Sequence, residues 1–441
     1  MSTRTSPAGA TAGSPIDAVR WPDVATVPAC SAVRAAVARR IVRHAFHRLP
    51  LRVRMGQDPV LGTGGPELRV DDPASFERRI ATGGLIGFGE SYMAGEWDSG
   101  DLVGVMTVLA RHVSTLVPPP LQRLRRLWAV AQPAAHRNTP DGARANVHHH
   151  YDLSNELFAE FLDETMTYSS AVFGRLPADP AQLVPAQHHK IDRLLDLAGV
   201  GPGTRLLEIG TGWGELAIRA ARRGARVRSL TLSDEQRELA RLRIEESGFA
   251  DRADVQLCDY REARGSYDAI VSVEMIEAVG AEFWPVYFTA LDRLLAPGGR
   301  VALQAITLPH DRMLATRDTH TWIQKYIFPG GMIPSVRAMD EITRSHTRLR
   351  IARRDAFGPH YAETLRLWRE RFAEGDARVD GLGFDTTFRR MWTLYLAYSE
   401  AGFAAGYLDV EQILFTEAGS TEADRFPARA AGRTDEGGGS R

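Results

Sequence analysis

Short apolar segments alternate with stretches long enough for a helix across the middle of the chain, and this alternation most limits how the chain can fold. The apolar segments have the length of buried β-strands; they are residues 205–209, 226–232, 254–257, 269–273 and 300–305. Strands separated by helices pair in parallel, because a parallel connection must cross from one end of the sheet to the other. The sequence therefore predicts an α/β fold with a mostly parallel sheet and helices on both faces.

A glycine-rich turn follows the first of these strands. Residues 206–214 read LLEIGTGWG, so that Gly210, Gly212 and Gly214 separate the strand from a helix beginning near Glu215. Glycines in such a turn allow tight turning, close approach of a ligand to the backbone, and packing of helix on strand. The turn predicts a ligand site beyond the carboxyl end of the strand. On this pattern alone, a dinucleotide would be the usual first candidate.

Polar residues near the ends of the neighbouring strands favour S-adenosylmethionine instead. Glu208 lies in the first strand, and Thr231 and Gln236 lie at or after the end of the second. The third strand leads to Asp259 and Tyr260, where the acid can accept a hydrogen bond from an adenine amino group and the aromatic ring can cover the base. The alternative for Glu208, Thr231 and Gln236 is an ordinary role in turns or helix caps.

Length and composition indicate a globular protein with a catalytic domain and a smaller unit. The chain has 441 residues, of which 44% are hydrophobic and 25% charged, and these values are ordinary for a folded protein. It contains no run of roughly 18 apolar residues, and its start lacks the layout of a secretory signal. We therefore expect a cytoplasmic protein. Its two cysteines, Cys30 and Cys258, cannot form a disulfide framework.

The same patterns divide the chain into segments. We expect disordered tails at both ends, because these residues carry little periodic hydrophobicity. A linker rich in Pro, Ala, Asn and Asp separates an N-terminal domain from the catalytic domain. The predicted bounds are 1–25 for the first tail, 26–132 for the N-terminal domain, 133–142 for the linker, 143–420 for the catalytic domain and 421–441 for the second tail.

The N-terminal domain begins with a basic amphipathic helix, predicted over residues 31–46. Its apolar residues recur about every four positions with arginines between them; they are Val33, Val37, Ile41 and Ala45. Such a helix suits an anionic membrane surface, and a second basic and apolar cluster at residues 123–128 supports that interpretation. We expect a peripheral position at the inner face of the membrane and no nucleic-acid partner. The alternative is an ordinary surface helix.

Further motifs follow one another in order between residues 66 and 415. They are GFGESYMAGEW (87–97), HHYDLSN (149–155), MTYSSAVF (166–173), TLSDEQ (231–236), SVEMIEAVG (272–280), KYIFPGGMIPS (325–335), FGPHYAETL (357–365) and MWTLYL (391–396). With the glycine-rich turn, these motifs resemble those of the cyclopropane-fatty-acyl-phospholipid synthases, which include the mycolic acid cyclopropane synthases. The resemblance implies a Rossmann-like class I methyltransferase fold with a smaller, lipid-facing N-terminal domain.

The resemblance also implies which residues serve the reaction. Those expected to contact S-adenosylmethionine are Tyr168, Ser169, Gly210, Gly212, Thr231, Gln236, Asp259 and Tyr260. In the family, a bicarbonate ion near the transferred methyl is held by five residues, and the matching positions here are Ser170, Glu277, Gln304, Ile306 and Tyr361. Serine stands where cysteine is usual, and glutamine stands where histidine is usual. No metal is expected, and the oligomeric state is open, with a homodimer as one hypothesis.

The expected reaction is alkylation of a double bond in an unsaturated acyl chain of a membrane phospholipid. The π electrons attack the sulfonium methyl and leave a carbocation, which then loses a proton. Direct loss from the new methyl closes a cyclopropane, whereas a preceding hydride shift leaves an exocyclic methylene. Because Ser170 and Gln304 suggest an altered base geometry, the chain looks most like the actinobacterial branch that makes 10-methylene chains, precursors of tuberculostearic-type lipids. A separate flavin-dependent reductase completes the methyl branch there.

Other interpretations remain open at this stage. A small-molecule N- or O-methyltransferase would need only the glycine-rich turn, and Ser170 and Gln304 are also compatible with a catalytically silent lipid- or cofactor-binding protein. The histidines at 148–150 invite a metal hypothesis, which we disfavour because no set of acids or cysteines accompanies them. The aromatic and aliphatic clusters at 322–328 and 391–398 fit either core packing or an acyl-chain channel.

Overall fold

The computed structural model describes residues 15–113, 133, 137–139, 142–143, 154–317 and 319–419. Half of the predicted linker, the basic cluster at 123–128, the histidines at 148–150 and the second tail therefore lie outside the described residues. The chain divides into two compact units. The helical unit comprises the described residues within 1–131, 319–327 and 368–405, and the sheet unit comprises those within 132–318, 328–367 and 406–441.

The secondary structure is numbered in chain order. The helices are α1 (Pro22–Ala25), α2 (Ala32–Arg48), α3 (Pro73–Gly83), α4 (Leu85–Met93), α5 (Leu102–His112), α6 (Asn155–Phe161), α7 (Leu183–Ala198), α8 (Glu215–Arg222), α9 (Asp234–Glu246), α10 (Ile276–Val279), α11 (Trp284–Leu294), α12 (His310–Thr316), α13 (Trp322–Tyr326), α14 (Val336–His346), α15 (Gly358–Glu374), α16 (Asp376–Gly381) and α17 (Thr386–Ala404). The strands are β1 (Arg52–Met55), β2 (Glu67–Val70), β3 (Trp97–Asp98), β4 (Arg205–Ile209), β5 (Arg226–Thr231), β6 (Ala253–Leu257), β7 (Tyr267–Val273), β8 (Leu295–Thr307), β9 (Leu349–Ala356) and β10 (Asp409–Glu417).

The sheet unit is built on a mostly parallel sheet. Within the described residues this sheet has seven strands in the order β6-β5-β4-β7-β8-β10-β9. The strands from β6 to β8 pair in parallel, and β10 runs antiparallel to both β8 and β9. The five predicted strands correspond to β4 to β8. The reversal of strand order beside β4 opens a crevice at the carboxyl ends of the parallel strands, where ligands bind in sheets of this kind.

Both faces of the sheet are covered, which explains why its central strands carry apolar residues on both faces. Successive residues of one strand point to opposite faces, so Leu206 packs in one core and Leu207 in the other. The first core lies beneath α7, α8 and α9, and the second lies beneath α11 and α14. This two-sided burial agrees with helices on both faces of the sheet.

A buried ion pair lies at the centre of the helical unit. Arg79 on α3 is 1% exposed, and its Nε donates to Glu96 at 2.7 Å. The same guanidinium donates to the backbone carbonyls of Asp23 and Val24 at 2.7 and 2.6 Å. An arginine that is removed from water needs a hydrogen-bond partner for each of its N–H groups. These bonds therefore hold α1 against α3. Residues 15–25, assigned from the sequence to a disordered tail, are thus structured in this region, and Trp21 Nε1 also donates to Asp385 at 2.8 Å.

The motif at residues 87–97 is explained by packing within the helical unit. A Cβ at Gly87 would lie 2.0 Å from the Arg79 carbonyl oxygen, and one at Gly89 would lie 2.3 Å from the Trp322 ring. Glu90 accepts hydrogen bonds from Lys325 and from the hydroxyl of Tyr326. The glycines therefore permit close contact of α4 with α3 and α13. For Trp322 and Tyr326, these contacts favour core packing.

One property of the helices bears on membranes. Among the described residues, none of the helices combines the length and the apolar composition that are needed to cross a bilayer.

Candidate active site

The glycine-rich turn after β4 has the geometry of a ligand-binding loop. Gly210, Gly212 and Gly214 have φ values of +96°, +52° and +91°, a region that side chains disfavour. A Cβ at Gly212 would meet nothing within 4 Å, whereas one at Gly214 would lie 3.1 Å from the Cβ of Ala240. Gly214 thus permits packing of α8 against α9, and Gly212 faces open space in which a ligand can approach the backbone.

Glu208 is linked to this turn by a chain of hydrogen bonds. Its carboxylate accepts a hydrogen bond from Ser229 at 2.5 Å, and the Ser229 hydroxyl lies 2.7 Å from that of Thr211. Burial raises the pKa of Glu208 to about 8. The strand acid singled out from the sequence therefore joins β4, β5 and the turn through buried hydrogen bonds.

Thr231 and Gln236 lie together at the end of β5. The Thr231 hydroxyl donates to Gln236 Oε1 at 2.9 Å and accepts from the backbone N–H of Ser233 at 3.2 Å. Ser233 in turn caps α9 by accepting from the backbone N–H of Gln236 at 3.2 Å. These bonds match the capping alternative, and they also hold both side chains at the carboxyl edge of the sheet.

Asp259 and Tyr260 follow β6 on the same edge. The Asp259 carboxylate accepts hydrogen bonds from the guanidinium of Arg261 at 2.8 and 2.5 Å. The ring of Tyr260 packs edge-on against Tyr287 with centroids 5.2 Å apart. Burial raises the pKa of Tyr260 to about 12. Asp259 therefore has a partner of its own, and its role towards adenine stays a prediction.

A buried lysine, which the sequence analysis did not identify, lies beside Ser169. Lys190 on α7 is 1% exposed, and its Nζ donates to the Ser169 hydroxyl at 2.6 Å. The Ser169 carbonyl accepts from Gln187 Nε2 at 2.9 Å. Burial lowers the pKa of Lys190 to about 8. The neighbouring Tyr168 packs edge-on against Phe158 at 5.2 Å. These contacts fix the segment that carries Tyr168 and Ser169.

Glu274 is the second residue that the sequence analysis missed. It follows β7 directly, and its carboxylate is the point where three of the predicted catalytic residues meet. The backbone N–H of Ser170 and the Gln304 amide donate to Glu274 Oε1, each at 2.9 Å. The hydroxyl of Tyr361 on α15 donates to Oε2 at 2.7 Å. The structure thus brings Ser170, Gln304 and Tyr361 together around a carboxylate of the chain itself.

Glu277 forms a separate contact with Ile306, the remaining residue of the set expected to hold bicarbonate. Its Oε1 accepts a hydrogen bond from the backbone N–H of Ile306 on β8. Its Oε2 is buried and has no hydrogen-bond partner in the part of the chain that the structure describes. Burial, with the nearby negative charge of Glu274, raises the pKa of Glu277 to about 8. A buried acid whose ionisation is opposed by a neighbouring carboxylate is typical of catalytic sites.

The donors expected to hold bicarbonate are therefore already engaged. The Ser170 N–H, the Gln304 amide and the Tyr361 hydroxyl bond to Glu274, and the Ile306 N–H bonds to Glu277. The Ser170 hydroxyl donates to the carbonyl of Ala171 at 3.1 Å. A further anion would meet two carboxylates and no free donor from this set. These residues do not fit bicarbonate as an additional ion.

The sheet order and the open glycine-rich turn define the class of protein. A mostly parallel sheet with a crevice beyond β4, a loop free to approach a ligand at Gly212, and polar residues at the ends of β5 and β6 are the features of a class I S-adenosylmethionine-dependent methyltransferase. In this site S-adenosylmethionine would lie along the glycine-rich turn, and the candidate contacts from the sequence analysis stay predictions.

Comparison with known proteins identifies the family. Residues 138–413 match the family described as mycolic acid cyclopropane synthetase. Tuberculostearic acid methyltransferase UfaA1 of Mycobacterium tuberculosis is 56% identical over 411 residues, which cover 91% of this chain and 96% of that protein. Cyclopropane-fatty-acyl-phospholipid synthase of Escherichia coli is 32% identical over 371 residues, covering 80% of this chain and 89% of that protein. The chain belongs to the mycolic acid cyclopropane synthetase family.

A solved structure supports the same assignment. The mycolic acid cyclopropane synthase CmaA1, complexed with SAH and CTAB, matches with a TM-score of 0.57 and 31% sequence identity, covering 64% of this chain and 98% of that one. These findings confirm the predicted family, the class I methyltransferase fold and the dependence on S-adenosylmethionine. They also confirm that the chain is an enzyme that modifies fatty acyl chains.

The open space at Gly212 generates a test of the cofactor site. We expect Gly212→Val to weaken S-adenosylmethionine binding at least about tenfold, because a branched side chain is strained at positive φ and fills the approach to the backbone. Isothermal titration calorimetry measures the effect. Gly201→Ala is the matched control, since a Cβ there also meets nothing within 4 Å and its φ is not positive. Equal affinity in the two variants would remove Gly212 from the site.

Proposed function

We propose that the enzyme transfers a methyl-derived carbon from S-adenosylmethionine to the cis double bond of an unsaturated acyl chain in a phospholipid and produces a 10-methylene chain. The observation that carries this proposal is the extensive identity with the mycobacterial tuberculostearic acid methyltransferase, which spans nearly the whole of both chains. The buried acids Glu274 and Glu277 support it, because an ionised carboxylate close to the reacting carbon stabilises a carbocation.

The side chains supply positioning and electrostatics. When bound, S-adenosylmethionine supplies an electrophilic sulfonium methyl. A double bond is a weak nucleophile, so alignment of the acyl chain with that methyl contributes much of the rate. The buried Oε2 of Glu277 has no competing hydrogen bond in the described residues, which leaves its electron density available to a developing cation. Exclusion of water protects that cation from hydration.

The proposed product depends on whether a hydride shift precedes loss of a proton from the carbocation. A hydride shift from the methylated carbon moves the positive charge onto that carbon, and loss of a proton from the new methyl then forms the exocyclic double bond. Loss of the proton without the shift would close a cyclopropane. The remaining alkene is a substrate for a separate reductase, and we propose that a flavin-dependent enzyme completes the methyl branch.

Mass spectrometry of fatty acids distinguishes these outcomes. We expect that expression in a bacterium rich in oleoyl or vaccenoyl lipids, and lacking its own cyclopropane synthase, yields chains heavier by one CH₂ that still react in an alkene-specific derivatisation. A product of equal mass without an alkene would indicate cyclopropane formation instead. An unchanged lipid profile, with S-adenosylmethionine binding intact, would contradict an acyl substrate.

Substitution of Glu277 tests the electrostatic role. We expect Glu277→Gln to lower kcat by about 100-fold or more above pH 8, where the wild-type carboxyl with its pKa of about 8 is ionised, because the amide keeps the shape of the side chain but cannot carry negative charge. The affinity for S-adenosylmethionine should change by less than about threefold, since the carboxylate acts on the cation and not on the bound cofactor. Glu282→Gln, at an exposed acid in the same unit, is the control. A large loss of affinity in Glu277→Gln would show a binding role instead.

Helix α2 supports a peripheral position at a membrane. Ser31 caps this helix, but its apolar residues divide between two faces. Val42 and Phe46 are buried, whereas Val33 and Val37 are 75% and 52% exposed. The exposed Arg40 lies on the same helix. Exposed aliphatic side chains next to a cation suit an interface with anionic lipid.

A vesicle-binding measurement tests this surface. We expect the double variant Val33→Asp, Val37→Asp to bind phosphatidylglycerol vesicles about tenfold more weakly or worse, because it removes apolar contact and adds repulsion from anionic lipid. Sedimentation with vesicles provides the measurement. The control is Leu242→Asp, at a residue of α9 that is 51% exposed. Equal binding by the two variants would place the membrane contact elsewhere.

A further inference from the structure

We propose that the Glu274 carboxylate is the resident anion of this active site, that it takes the place of bicarbonate, and that it accepts the proton lost by the methylated acyl chain. This inference rests on the proposed function. It follows from the donors around Glu274, from the conformation of its backbone and from the charges near it.

The donors around Glu274 form a complete anion-binding set. They come from three separate parts of the sheet unit, namely the segment before α7, strand β8 and helix α15, and they approach at 2.7 to 2.9 Å. These are the lengths of charge-assisted hydrogen bonds to an oxyanion. Gln304 is itself oriented, because its Oε1 accepts from Gln412 Nε2 at 3.2 Å. The set is therefore prearranged for one carboxylate, and that carboxylate belongs to the chain.

The backbone at Glu274 is strained in a way that favours a functional role. Its φ is +51°, in the left-handed region where glycine is comfortable and a side chain is not. Its own N–H donates to the Gln304 carbonyl at 2.7 Å, which holds the residue in this conformation at the end of β7. Residues kept in strained conformations cluster at active sites. A glycine would relieve the strain, but it would leave the three donors without an acceptor.

The electrostatic surroundings suit a proton acceptor. Burial raises the pKa of Glu274 above its ordinary value, while the hydrogen bonds from Gln304 and Tyr361 and the positive charge of Lys190 oppose the increase. Lys190 therefore helps Glu274 to remain ionised. A carboxylate with a raised pKa is a stronger base than an ordinary one, and it still releases its proton to water afterwards.

The proton transfer balances without another reactant. A C–H bond of the transferred methyl breaks, and its electron pair forms the exocyclic double bond that cancels the positive charge on the neighbouring carbon. The proton goes to Glu274 Oε2, which accepts one hydrogen bond within the described residues, from Tyr361, whereas Oε1 accepts two. The neutral acid then gives the proton to solvent, and the carboxylate is restored for the next turnover.

Chemical rescue tests this inference. The full chain is assayed with vesicles of an oleoyl phospholipid, and both S-adenosylhomocysteine and the alkylated lipid are measured in buffer freed of carbon dioxide. We expect the wild type to keep its full rate under these conditions. Glu274→Gly should lose about 100-fold or more in kcat, and added bicarbonate or formate should restore at least a tenth of the rate with saturation, because the three donors can bind a small anion in the space left by the side chain.

Two further variants make the result specific. Glu274→Gln should be as inactive as Glu274→Gly but should not respond to either anion, because its side chain still fills the site. Glu341→Gln, at an exposed acid on α14, should behave as the wild type. Folding of Glu274→Gly is checked by circular dichroism and by cofactor binding. If this variant does not fold, the inference is tested by the rate of the wild type without bicarbonate and by the rate of Glu274→Gln with and without the added anions.

The outcomes separate this inference from the proposed function. A wild type that makes the alkylated lipid but loses activity without bicarbonate would overturn the role of Glu274, as would a Glu274→Gly variant that needs no added anion. In both cases the proposed function would stand. A wild type that makes no alkylated lipid with or without bicarbonate would instead contradict the proposed function.

Discussion

Three hydrogen bonds to one carboxylate hold the candidate active site of this methyltransferase together. Ser170, Gln304 and Tyr361 lie far apart in the chain, and each bonds to Glu274 at the carboxyl end of β7. The sheet makes this convergence possible, because β7 and β8 are parallel neighbours whose carboxyl ends meet at one edge. The glycine-rich turn after β4 opens at the same edge. A change in strand order would separate the acid from its donors and from the cofactor crevice.

The sequence was most informative where one physical effect dominated. The apolar strands β4 to β8 could be located because both faces of the sheet are covered, so hydrophobicity runs through each strand. Strand β9 was missed for the opposite reason, whereas β10 is buried but carries acidic and amide residues among its apolar ones. β9 lies at the edge of the sheet and is largely exposed, and its Arg354 forms a two-pronged ion pair with Glu411 of β10 at 2.7 and 2.8 Å. Charged residues inside strands conceal them from a search for apolar segments.

The candidate site shows a second limit of sequence reasoning. The motif SVEMIEAVG contains two acids, and only Glu277 was selected because the family resemblance assigned a role to that position. Glu274 could have been suspected, since two carboxylates three positions apart after a strand end are an unusual pair to bury. Its positive φ and its three donors depend on tertiary contacts, however, and no local pattern predicts them. The same limit applies to Lys190, which resembles any lysine of an amphipathic helix until its burial is known.

The departures from the family pattern are best understood as one compensated change. An imidazole next to a mobile bicarbonate ion can supply positive charge to it, whereas an amide can only donate and accept hydrogen bonds. In this chain the anion is covalently fixed at Glu274, so it needs orientation more than it needs charge to retain it. Gln304 meets that need, because its amide nitrogen donates to Glu274 and its carbonyl accepts from Gln412. The buried Lys190 contributes positive charge from a greater distance.

The serine at position 170 is explained in the same way. Its contact with the Glu274 carboxylate is made by the backbone N–H, which any residue except proline can provide. Glutamine, serine and Glu274 therefore depend on one another. The loss of histidine and cysteine does not indicate loss of catalysis, because the negative charge that those residues would help to bind is already part of the chain.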